Sequence, residues 1–293
     1  GRYSALARRC SHRGADLSYG RLEDGGIRCP YHGWLYDSEG NCIEQPAEPE
    51  GSTFVGKVKQ QAYPCVEHQG IIYGYMGPGG PPLFPAFDWN LAPEHHTFVF
   101  KAHQDANWLQ ANEGEIDPAH LSYLHRYLDD EMDADESYGL DQFLDVAEGT
   151  DIPVSQILRE KLNPQIEIEN TGYGVRIFSL RELGQSMHVR VTNFLFPNGA
   201  IVAVGTDWGL LQLHVPIDDE HNWRFDIMFS YRKPMDMETM HRERLQTYDL
   251  PSYMPKRNLA NRYGFNAQEQ ISHTYIGVGY DINTHDSWAI EGA

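Results

Sequence analysis

The sequence predicts an α+β protein in two parts: a small antiparallel β domain, then a larger domain that combines helices with an antiparallel sheet. Three observations predict this class. Short β segments alternate with turns before residue 77, a Gly/Pro cluster occupies 77–82, and helical and strand-like patterns fill the remainder. We therefore place the two domains at residues 1–82 and 83–293, with the Gly/Pro cluster as the linker.

The elements of the first part are short and rich in residues that favour strands. A hairpin turn is predicted at 37–40, where Asp, Ser, Glu and Gly follow one another. The predicted β segments are 3–9, 26–29, 34–36 and 70–75.

The second part begins with a predicted helix. Residues 103–128 are mostly helix formers, and Pro118 predicts a break in that helix. A second helical segment is predicted at 235–248. Alternating apolar residues predict the strands of one antiparallel sheet at 174–180, 187–196, 200–204, 210–215 and 223–231.

Composition and charge exclude several classes of function. The formal net charge is −19 over 293 residues, which disfavours binding to nucleic acid or to an anionic membrane surface. No apolar run of about 18 residues exists in the sequence, and the first residues lack an apolar signal-peptide core. We therefore expect a cytoplasmic protein without a membrane span. The acidic run at 129–136 predicts a solvated loop.

Four potential metal ligands lie in two short motifs. Cys10 and His12 form a C-x-H motif, and Cys29 and His32 form a C-x2-H motif. Sixteen residues lie between the two motifs. Two thiolates and two imidazoles suit either a tetrahedral zinc ion or a [2Fe–2S] cluster. The spacing leaves both open. The remaining cysteines, Cys42 and Cys65, lie outside the pattern and are predicted to be small buried hydrophobic residues.

A second group of potential ligands lies in the predicted helix at 103–128. Asp117, His120 and His125 form a D-x2-H-x4-H motif. On a regular helix His120 and His125 would point about 140° apart. We therefore predict an irregular or π-type turn between these two histidines, so that both can face one metal ion.

The flanking residues carry a resemblance to a known family. The loops at 10–14 and 29–34 resemble the ligand loops of Rieske proteins, and the D-x2-H-x4-H motif resembles the iron-binding helix of the Rieske ring-hydroxylating oxygenases. The resemblance implies a [2Fe–2S] cluster on Cys10, His12, Cys29 and His32, and a helix-grip-like catalytic domain. It also implies a mononuclear Fe(II) on two histidines and one carboxylate.

The same resemblance implies the roles of the remaining site residues. His120 and His125 take the histidine positions, and Asp117 links the two metal centres. Segment 283–289 is similar to the family's C-terminal ligand segment, with Asp286 in the carboxylate position and Asp281 as the fallback. Only nine residues precede Cys10 and only seven follow Asp286, fewer than in the family, so we expect an incomplete chain.

Stretches 107–117 and 189–194 look most like the phthalate dioxygenase type. That type implies hydroxylation or O-demethylation of an aromatic carboxylate with O2, and a homotrimeric or hexameric ring. The chain contains no G-x-G-x-x-G motif after a strand, so electrons from NAD(P)H are expected only through a separate flavin and iron–sulfur reductase.

An aromatic carboxylate entering a protein of net charge −19 requires a local cation. Strand 187–194 places His188, Arg190 and Thr192 on one face, and Arg190 is our candidate carboxylate anchor. Arg176 and Arg181 are rival anchors, and the alternative is that Arg190 pairs with an acidic side chain at the surface.

Two other classes of protein remain as alternatives at this point. A Rieske ferredoxin-type electron carrier would need only the small β domain, and a zinc-binding protein would use the same four ligands without iron chemistry.

Overall fold

The computed structural model describes residues 3–128, 146–203 and 208–292. The predicted acidic loop at 129–136 and the last residue of the predicted strand 200–204 lie outside these ranges. The chain divides into two compact units, Gly1–Ala86 and Phe87–Ala293. The Gly/Pro cluster at 77–82 belongs to the first unit. Among the described residues, no helix is both long and apolar enough to span a membrane.

The first unit is built from short antiparallel strands. Strands β2 to β5 form one four-stranded sheet, while β1 pairs with β6 and β7 pairs with β8. The predicted turn at 37–40 connects β4 to β5, with the Gly40 amide donating to the Asp37 carbonyl. Within residues 3–86, strands β1 to β8 are Ala5–Leu6, Arg21–Glu23, Gly26–Arg28, Leu35–Tyr36, Cys42–Glu44, Ala62–Tyr63, Cys65–His68 and Ile71–Gly74.

A small core fills this unit. Cys42 is buried in it, as predicted, whereas Cys65 is only half-buried. The prediction for Cys65 was therefore wrong, because this residue lies in the two-stranded sheet of β7 and β8 and not in the core that buries Cys42. The buried members of the core are Cys10, Leu17, Cys29, Trp34, Tyr36 and Cys42.

The second unit contains the predicted antiparallel sheet, which has seven strands in the described residues. The strand order is β10-β11-β12-β13-β14-β15-β9, with every neighbour antiparallel. A separate hairpin pairs β16 with β17. Strands β9 to β17 are Thr97–Gln104, Gln165–Asn170, Gly174–Leu183, Ser186–Leu195, Gly199–Ala203, Trp208–Pro216, Asn222–Ser230, Tyr248–Asp249 and Met254–Pro255.

One predicted helix is shorter than expected, and three of the described helices, Val154–Glu160, Ala267–Ser272 and Ile282–Glu291, were not predicted. The predicted helix at 103–128 is shorter, because residues 103 and 104 belong to β9 and the helix ends at Ile116, where Asp117 adopts an extended conformation before Pro118. We number the described α-helices α1 Trp108–Ile116, α2 Val154–Glu160, α3 Met237–Thr247, α4 Ala267–Ser272 and α5 Ile282–Glu291. Short 3-10 segments lie at Leu17–Tyr19, Val55–Lys57, Asp88–Leu91, His120–Ser122 and the kinked Leu259–Gly264.

One face of the seven-stranded sheet is buried and unusually polar. Its register aligns Gln212 with Asp226 and His214 with Arg224, all buried, and we call this the inner face. Helix α1 packs on β12, β13 and β14. Arg190 also lies on the inner face. The pairing across β12, β13 and β14 aligns Phe194, Ala200 and Gln212, and Arg190 shares the face of Phe194, four residues away on the same strand.

A charged network ties the inner face to helix α3. The carboxylate of Asp226 accepts hydrogen bonds from Arg224 Nε at 2.9 Å and from Arg244 Nη2 at 2.9 Å, and Arg224 Nη2 donates to the Tyr248 hydroxyl at 2.8 Å. All four side chains are buried. Burial alone would raise the pKa of Asp226, but the two guanidinium groups lower it below its ordinary value. The network therefore holds an ionised carboxylate between two cations.

Replacing Asp226 by Ala leaves two buried guanidinium groups without their shared counterion. We expect Asp226→Ala to destabilise the second unit by about 3–5 kcal/mol. The midpoint of thermal unfolding, followed by circular dichroism, should then fall by roughly 6–20 °C. Asp249→Ala, at an exposed position, is the matched control and should leave the midpoint nearly unchanged. Equal midpoints for the two variants would contradict this role of the network.

Candidate metal centres

Two loops of the first unit share one local geometry. In the first, the Cys10 amide donates to the Ala15 carbonyl and the Gly14 amide donates to the Cys10 carbonyl. In the second, Cys29 and Gly33 make the equivalent bonds, with Trp34 in the place of Ala15. Both turns require a residue with left-handed backbone conformation four residues after the cysteine. Glycine occupies this position, with φ of +70° at Gly14 and +74° at Gly33.

The side chains of these loops meet in two pairs. Burial raises the pKa of the Cys29 thiol, and the neighbouring Cys10 thiol raises it further. The rings of His12 and His32 lie edge to face with their centroids 4.6 Å apart. The Nδ1 atom of His32 is buried without a hydrogen-bond partner among the described residues. The arrangement thus separates a buried thiol pair from a half-buried imidazole pair.

Neighbouring side chains fix both pairs in place. The indole of Trp34 stacks on His12 at 4.2 Å with an interplanar angle of 3°. The Tyr36 hydroxyl lies 3.2 Å from Cys10 Sγ and 3.0 Å from the Ser11 hydroxyl. The buried Gln60 accepts a hydrogen bond from the Ser11 amide at 2.8 Å. Tyr36 and Gln60 were not identified from the sequence, since they lie outside the two motifs.

A second group of candidate ligands lies in the second unit. His125 Nε2 is 3.2 Å from His120 Nε2 and 3.1 Å from Asp286 Oδ1, and His120 Nε2 is 3.9 Å from Asp286 Oδ1. Ligand atoms about 2.1 Å from one octahedral metal ion and at right angles to each other lie about 3.0 Å apart. Among the described residues, this is the one group of three or more potential ligands whose atoms all lie within 4.8 Å of one another.

Local structure explains how distant residues meet here. After the 3-10 turn at His120–Ser122, residues 126–128 run beside 273–275: the Leu128 amide donates to the His273 carbonyl and the Tyr275 amide donates to the Arg126 carbonyl. The connection between His120 and His125 is irregular, as predicted: a 3-10 turn at His120–Ser122 is followed by further turns up to His125. Helix α5 then presents Asp286.

Burial and neighbouring charges determine the protonation of His125 and Asp286. Burial lowers the pKa of His125, so its imidazole is neutral near pH 7 and has a lone pair for a metal ion. Burial alone would raise the pKa of Asp286, but the neighbouring His125 and His120 lower it to about 2. The site therefore combines neutral imidazole with an ionised carboxylate, a donor set that suits a divalent transition metal.

The two other predicted aspartates have different surroundings. Asp117 Oδ2 lies 3.6 Å from His120 Nδ1, and its Oδ1 accepts a hydrogen bond from the Ala119 amide at 2.8 Å. Asp281 caps helix α5 by accepting hydrogen bonds from the Thr284 amide and hydroxyl at 3.1 and 2.9 Å. Asp117 is thus placed beside a candidate ligand, whereas the fallback Asp281 is occupied as a helix cap.

The three candidate arginines have different environments. Arg176 lies on the sheet face opposite to Arg190 and pairs with Glu169 at 3.0 Å. Arg181 is buried and donates to the Lys161 and Pro118 carbonyls. Arg190 is half-buried and donates a long hydrogen bond of 3.5 Å to the Thr192 hydroxyl. The charges of Glu115 and Asp286 act on its guanidinium and favour the charged form. Burial lowers the pKa of Arg190 to about 10, so its guanidinium stays charged near neutral pH.

Two further residues of this site were not identified from the sequence. The side chain of Glu115 lies on α1, 4.0 Å from His214 Nε2, and burial together with Asp286 raises its pKa well above the ordinary value. His285 stacks on His125 with their centroids 5.4 Å apart. Neither belongs to a ligand motif. Their neighbours come from strands and helices far away in the chain, so no local pattern marks them.

Comparison with known families agrees with this division of the chain. A family model described as the Rieske [2Fe–2S] domain matches residues 1–64. A model described as LigXa C-terminal domain like matches residues 74–282.

Individual proteins match all or part of the chain. The phthalate 4,5-dioxygenase oxygenase subunit of Pseudomonas putida is 33% identical over 304 residues, covering 100% of this chain and 66% of that protein. The 5,5'-dehydrodivanillate O-demethylase oxygenase subunit of Sphingobium is 38% identical over 131 residues, 43% of this chain and 30% of that protein. The chain spans about half to two thirds of the length of the curated relatives that it matches most extensively.

A solved structure shows the same fold. The terminal oxygenase of carbazole 1,9a-dioxygenase from Nocardioides aromaticivorans superposes with a TM-score of 0.58 at 17% sequence identity, covering 99% of this chain and 75% of that one.

Proposed function

Since the chain belongs to the Rieske non-haem iron oxygenases, we propose that it uses O2 and reductase-supplied electrons to hydroxylate or O-demethylate an aromatic carboxylate. The observation that carries the proposal is the convergence of His120, His125 and Asp286 in a domain separate from the Cys/His loops. An electron carrier of Rieske ferredoxin type needs no such domain, so the LigXa-like region at 74–282 favours the oxygenase.

The residues of the first unit fit a [2Fe–2S] cluster better than one zinc ion. A single tetrahedral ion would draw all four ligand atoms to within about 4 Å of one another. In the described structure these four residues do not form such a group, and instead pair thiol with thiol and imidazole with imidazole. We therefore assign Cys10 and Cys29 to one iron and His12 and His32 to the other.

The second unit fits a mononuclear iron on His120, His125 and Asp286. Two imidazoles and one carboxylate on one side of the ion leave the opposite positions open. When bound, the two iron centres would supply one-electron transfer and O2 activation, which no side chain can provide. The chain's own residues orient the ligands, keep the His125 imidazole neutral and bring a substrate to the open side.

We propose that Asp117 connects the two kinds of metal centre. Its carboxylate lies beside His120 at 3.6 Å and is half-exposed, so a second hydrogen bond to an incoming group is available to it. The family resemblance points to His32 of a neighbouring subunit as that group. This route requires an assembly, and we propose a homotrimer or hexamer.

We propose a separate flavin and iron–sulfur reductase, fed by NAD(P)H, as the electron donor, and the cytoplasm as the location. None of the four cysteines forms a disulfide, which is the ordinary state of cysteine in the reducing cytoplasm. The names of the relatives support an aromatic acid as the substrate class, because they include a phthalate 4,5-dioxygenase and a 5,5'-dehydrodivanillate O-demethylase.

We propose Arg190 as the anchor of the substrate carboxylate. It lies on the inner face, where the charge of Asp286 acts on its guanidinium. Arg176 lies on the opposite face, and Arg181 donates its hydrogen bonds to backbone carbonyls. A guanidinium can form two parallel hydrogen bonds to a carboxylate, which fixes the orientation of a ring as well as its charge.

The oxygenase assignment is tested by spectrum and product together. The oxidised protein should absorb in the visible, and candidate aromatic acids should give products that contain oxygen from 18O2 or that lack a methyl group, measured by mass spectrometry. His120→Ala, His125→Ala and Asp286→Ala should each abolish product and lower bound mononuclear iron while preserving the visible spectrum, since the two ligand sets lie in separate units.

Asp281→Asn is the matched control, because asparagine caps a helix as well as aspartate does. It should keep both iron and activity. Stoichiometric iron and full activity in Asp286→Ala would show that the carboxylate ligand is another residue, and a metal-loaded protein without visible absorption would favour zinc.

Asp117→Asn should keep both metal centres and lose turnover. The amide preserves the size of the side chain but cannot accept hydrogen bonds at both of its terminal atoms, so the contact between the centres is broken. Replacement of such supporting groups typically costs roughly 10–100-fold in activity. The measurement is the rate at which the reduced cluster is reoxidised by O2 in the presence of substrate.

Asp151→Asn, at an exposed position, is the control for the Asp117 variant. Normal reoxidation in Asp117→Asn would remove this residue from the electron path. A monomer with full activity would show that the proposed trimer or hexamer is not required for electron transfer.

Arg190→Leu should weaken binding of the aromatic acid by about 1.5–3 kcal/mol, the range for a hydrogen bond to a charged group, and spare an uncharged ester analogue. Arg176→Leu, on the opposite face, is the matched control and should affect neither ligand. Dissociation constants from calorimetry measure both. Equal losses for the acid and the ester in Arg190→Leu would mean that this residue shapes the cavity without binding the carboxylate.

A further inference from the structure

The buried Gln60 makes three hydrogen bonds to the backbone around the first cysteine loop. Its amide nitrogen Nε2 donates to the Ala7 carbonyl at 2.7 Å and to the Arg9 carbonyl at 2.8 Å. Its amide oxygen Oε1 accepts from the Ser11 amide at 2.8 Å. Gln60 is 1% exposed, so its end of each bond is shielded from water. One side chain therefore holds every second residue from Ala7 to Ser11.

The backbone groups allow only one orientation of the Gln60 amide. A carbonyl oxygen can only accept a hydrogen bond, and a backbone N–H can only donate one. With the amide turned over, its oxygen would face two carbonyl oxygens and its nitrogen would face the Ser11 N–H. The three contacts therefore match the donors and the acceptor of the side chain without any choice of tautomer or charge.

The backbone of Gln60 is itself fixed by the turn at 37–40. Its amide donates to the Gly40 carbonyl at 2.7 Å, and a Cβ atom at position 40 would lie 2.0 Å from the Gln60 carbonyl oxygen. Gly40 has φ of +82°, in the left-handed region that favours glycine. The close approach of the two backbones leaves Gln60 little freedom to move away from the cysteine loop.

The second cysteine loop shows why the first one needs this glutamine. The equivalent backbone bonds of the two loops align Ser11 with Pro30, since each residue directly follows its cysteine. Proline has no N–H, so the second loop has no donor to satisfy at this position. The first loop has one, and Gln60 accepts its hydrogen bond. Without Gln60 this N–H would face the interior unpaired, which is costly.

The backbone groups that Gln60 binds surround a candidate ligand. Arg9 and Ser11 lie on either side of Cys10 in the chain. The Ser11 hydroxyl also lies 3.0 Å from the Tyr36 hydroxyl, which lies 3.2 Å from Cys10 Sγ. A shift of the backbone at Arg9 or Ser11 would therefore move the thiol together with the polar group beside it.

We propose that Gln60 is a positioning residue that holds the backbone on both sides of Cys10 where a [2Fe–2S] cluster requires its thiol. This inference rests on the proposed function, since it takes Cys10 as a ligand of the cluster. Gln60 lies 49 positions from Ser11 and belongs to neither ligand motif. It acts through the backbone of the loop, in the way that groups behind a metal ligand orient that ligand.

A first variant removes all three hydrogen bonds at once. We expect Gln60→Ala to accelerate the loss of the cluster to an iron chelator by roughly 10–100-fold, the usual effect of removing a group that orients a metal ligand. Gln61→Ala, at the exposed next position, is the matched control and should leave this rate unchanged. The decay of visible absorbance measures the rate, and circular dichroism verifies that each variant is folded.

A second variant tests whether the Ser11 donor is the reason for the effect. In Ser11→Pro alone the added ring would meet the Gln60 amide oxygen, so we expect faster cluster loss there as well. In the double variant with Gln60→Ala the space is free and no N–H remains to be paired, as in the second loop. The double variant should lose its cluster about tenfold more slowly than Gln60→Ala, since one unpaired buried donor is removed. Ser11→Ala measures the separate effect of the lost hydroxyl.

A spectroscopic measurement separates positioning from stability. The g-values of the reduced cluster in electron paramagnetic resonance depend on the geometry of its ligands. We expect them to shift in Gln60→Ala and to stay unchanged in Gln61→Ala. A Gln60→Ala protein that loses its cluster faster but keeps unaltered g-values would overturn the proposal, because Gln60 would then stabilise the unit without positioning the loop.

The double variant decides the proposal even if the single variants do not fold. A double variant that holds its cluster better than Gln60→Ala supports the proposal. One that loses its cluster as fast, or that holds none, overturns it, because lost packing alone would then explain the effect. Unchanged cluster loss in a folded Gln60→Ala overturns it too. A cluster spectrum that persists in Cys10→Ala would instead contradict the ligand set of the proposed function, which is a distinct failure.

Discussion

The second unit depends on keeping the Asp286 carboxylate ionised where its side chain is only 17% exposed. Desolvation opposes that charge, and two imidazoles within 4 Å of the carboxylate offset it. A divalent ion on the same three groups would offset it further. The surrounding elements serve this requirement: α5 presents the carboxylate, the 3-10 turn presents one imidazole, and the strand pairing beyond residue 125 fixes the other.

The polar inner face of the sheet helps to position the helix that carries Asp286. Arg244 on α3 donates a hydrogen bond to Asp226 on the sheet. Gln212 Nε2 donates to Asp226 at 3.1 Å and to Asn283 on α5 at 3.4 Å. The helix that carries Asp286 is thus joined to the sheet by hydrogen bonds as well as by apolar packing. Such networks require particular partners at particular distances, so they fix the position of a helix more narrowly than apolar contacts do.

The features that could be predicted from the sequence are those that depend on residues close together in the chain. The two Cys/His loops, the hairpin at 37–40, helix α3 and five strands of the large sheet follow local patterns of turn residues and alternation. Strand β10 also alternates, and β9 begins with strand-forming Thr97 and Phe98, but neither strand was predicted. The helix was extended into β9 because His103 and Gln104 tolerate both states. The placement of His285 and Glu115 depends on residues far away in the chain, and no local pattern reveals it.

The two metal-binding regions differ in how much of the chain each one needs. The first cysteine loop is complete once Gln60 is available, since the contact between Ser11 and Gln60 spans 49 positions. The second site joins His125 to His285 across 160 positions. Ribosomes add about 5–20 residues per second, so roughly 10–45 seconds separate the emergence of these two parts. All residues of the iron–sulfur loops are therefore synthesised while the second site still lacks His285 and Asp286, so the two sites are completed in a fixed order.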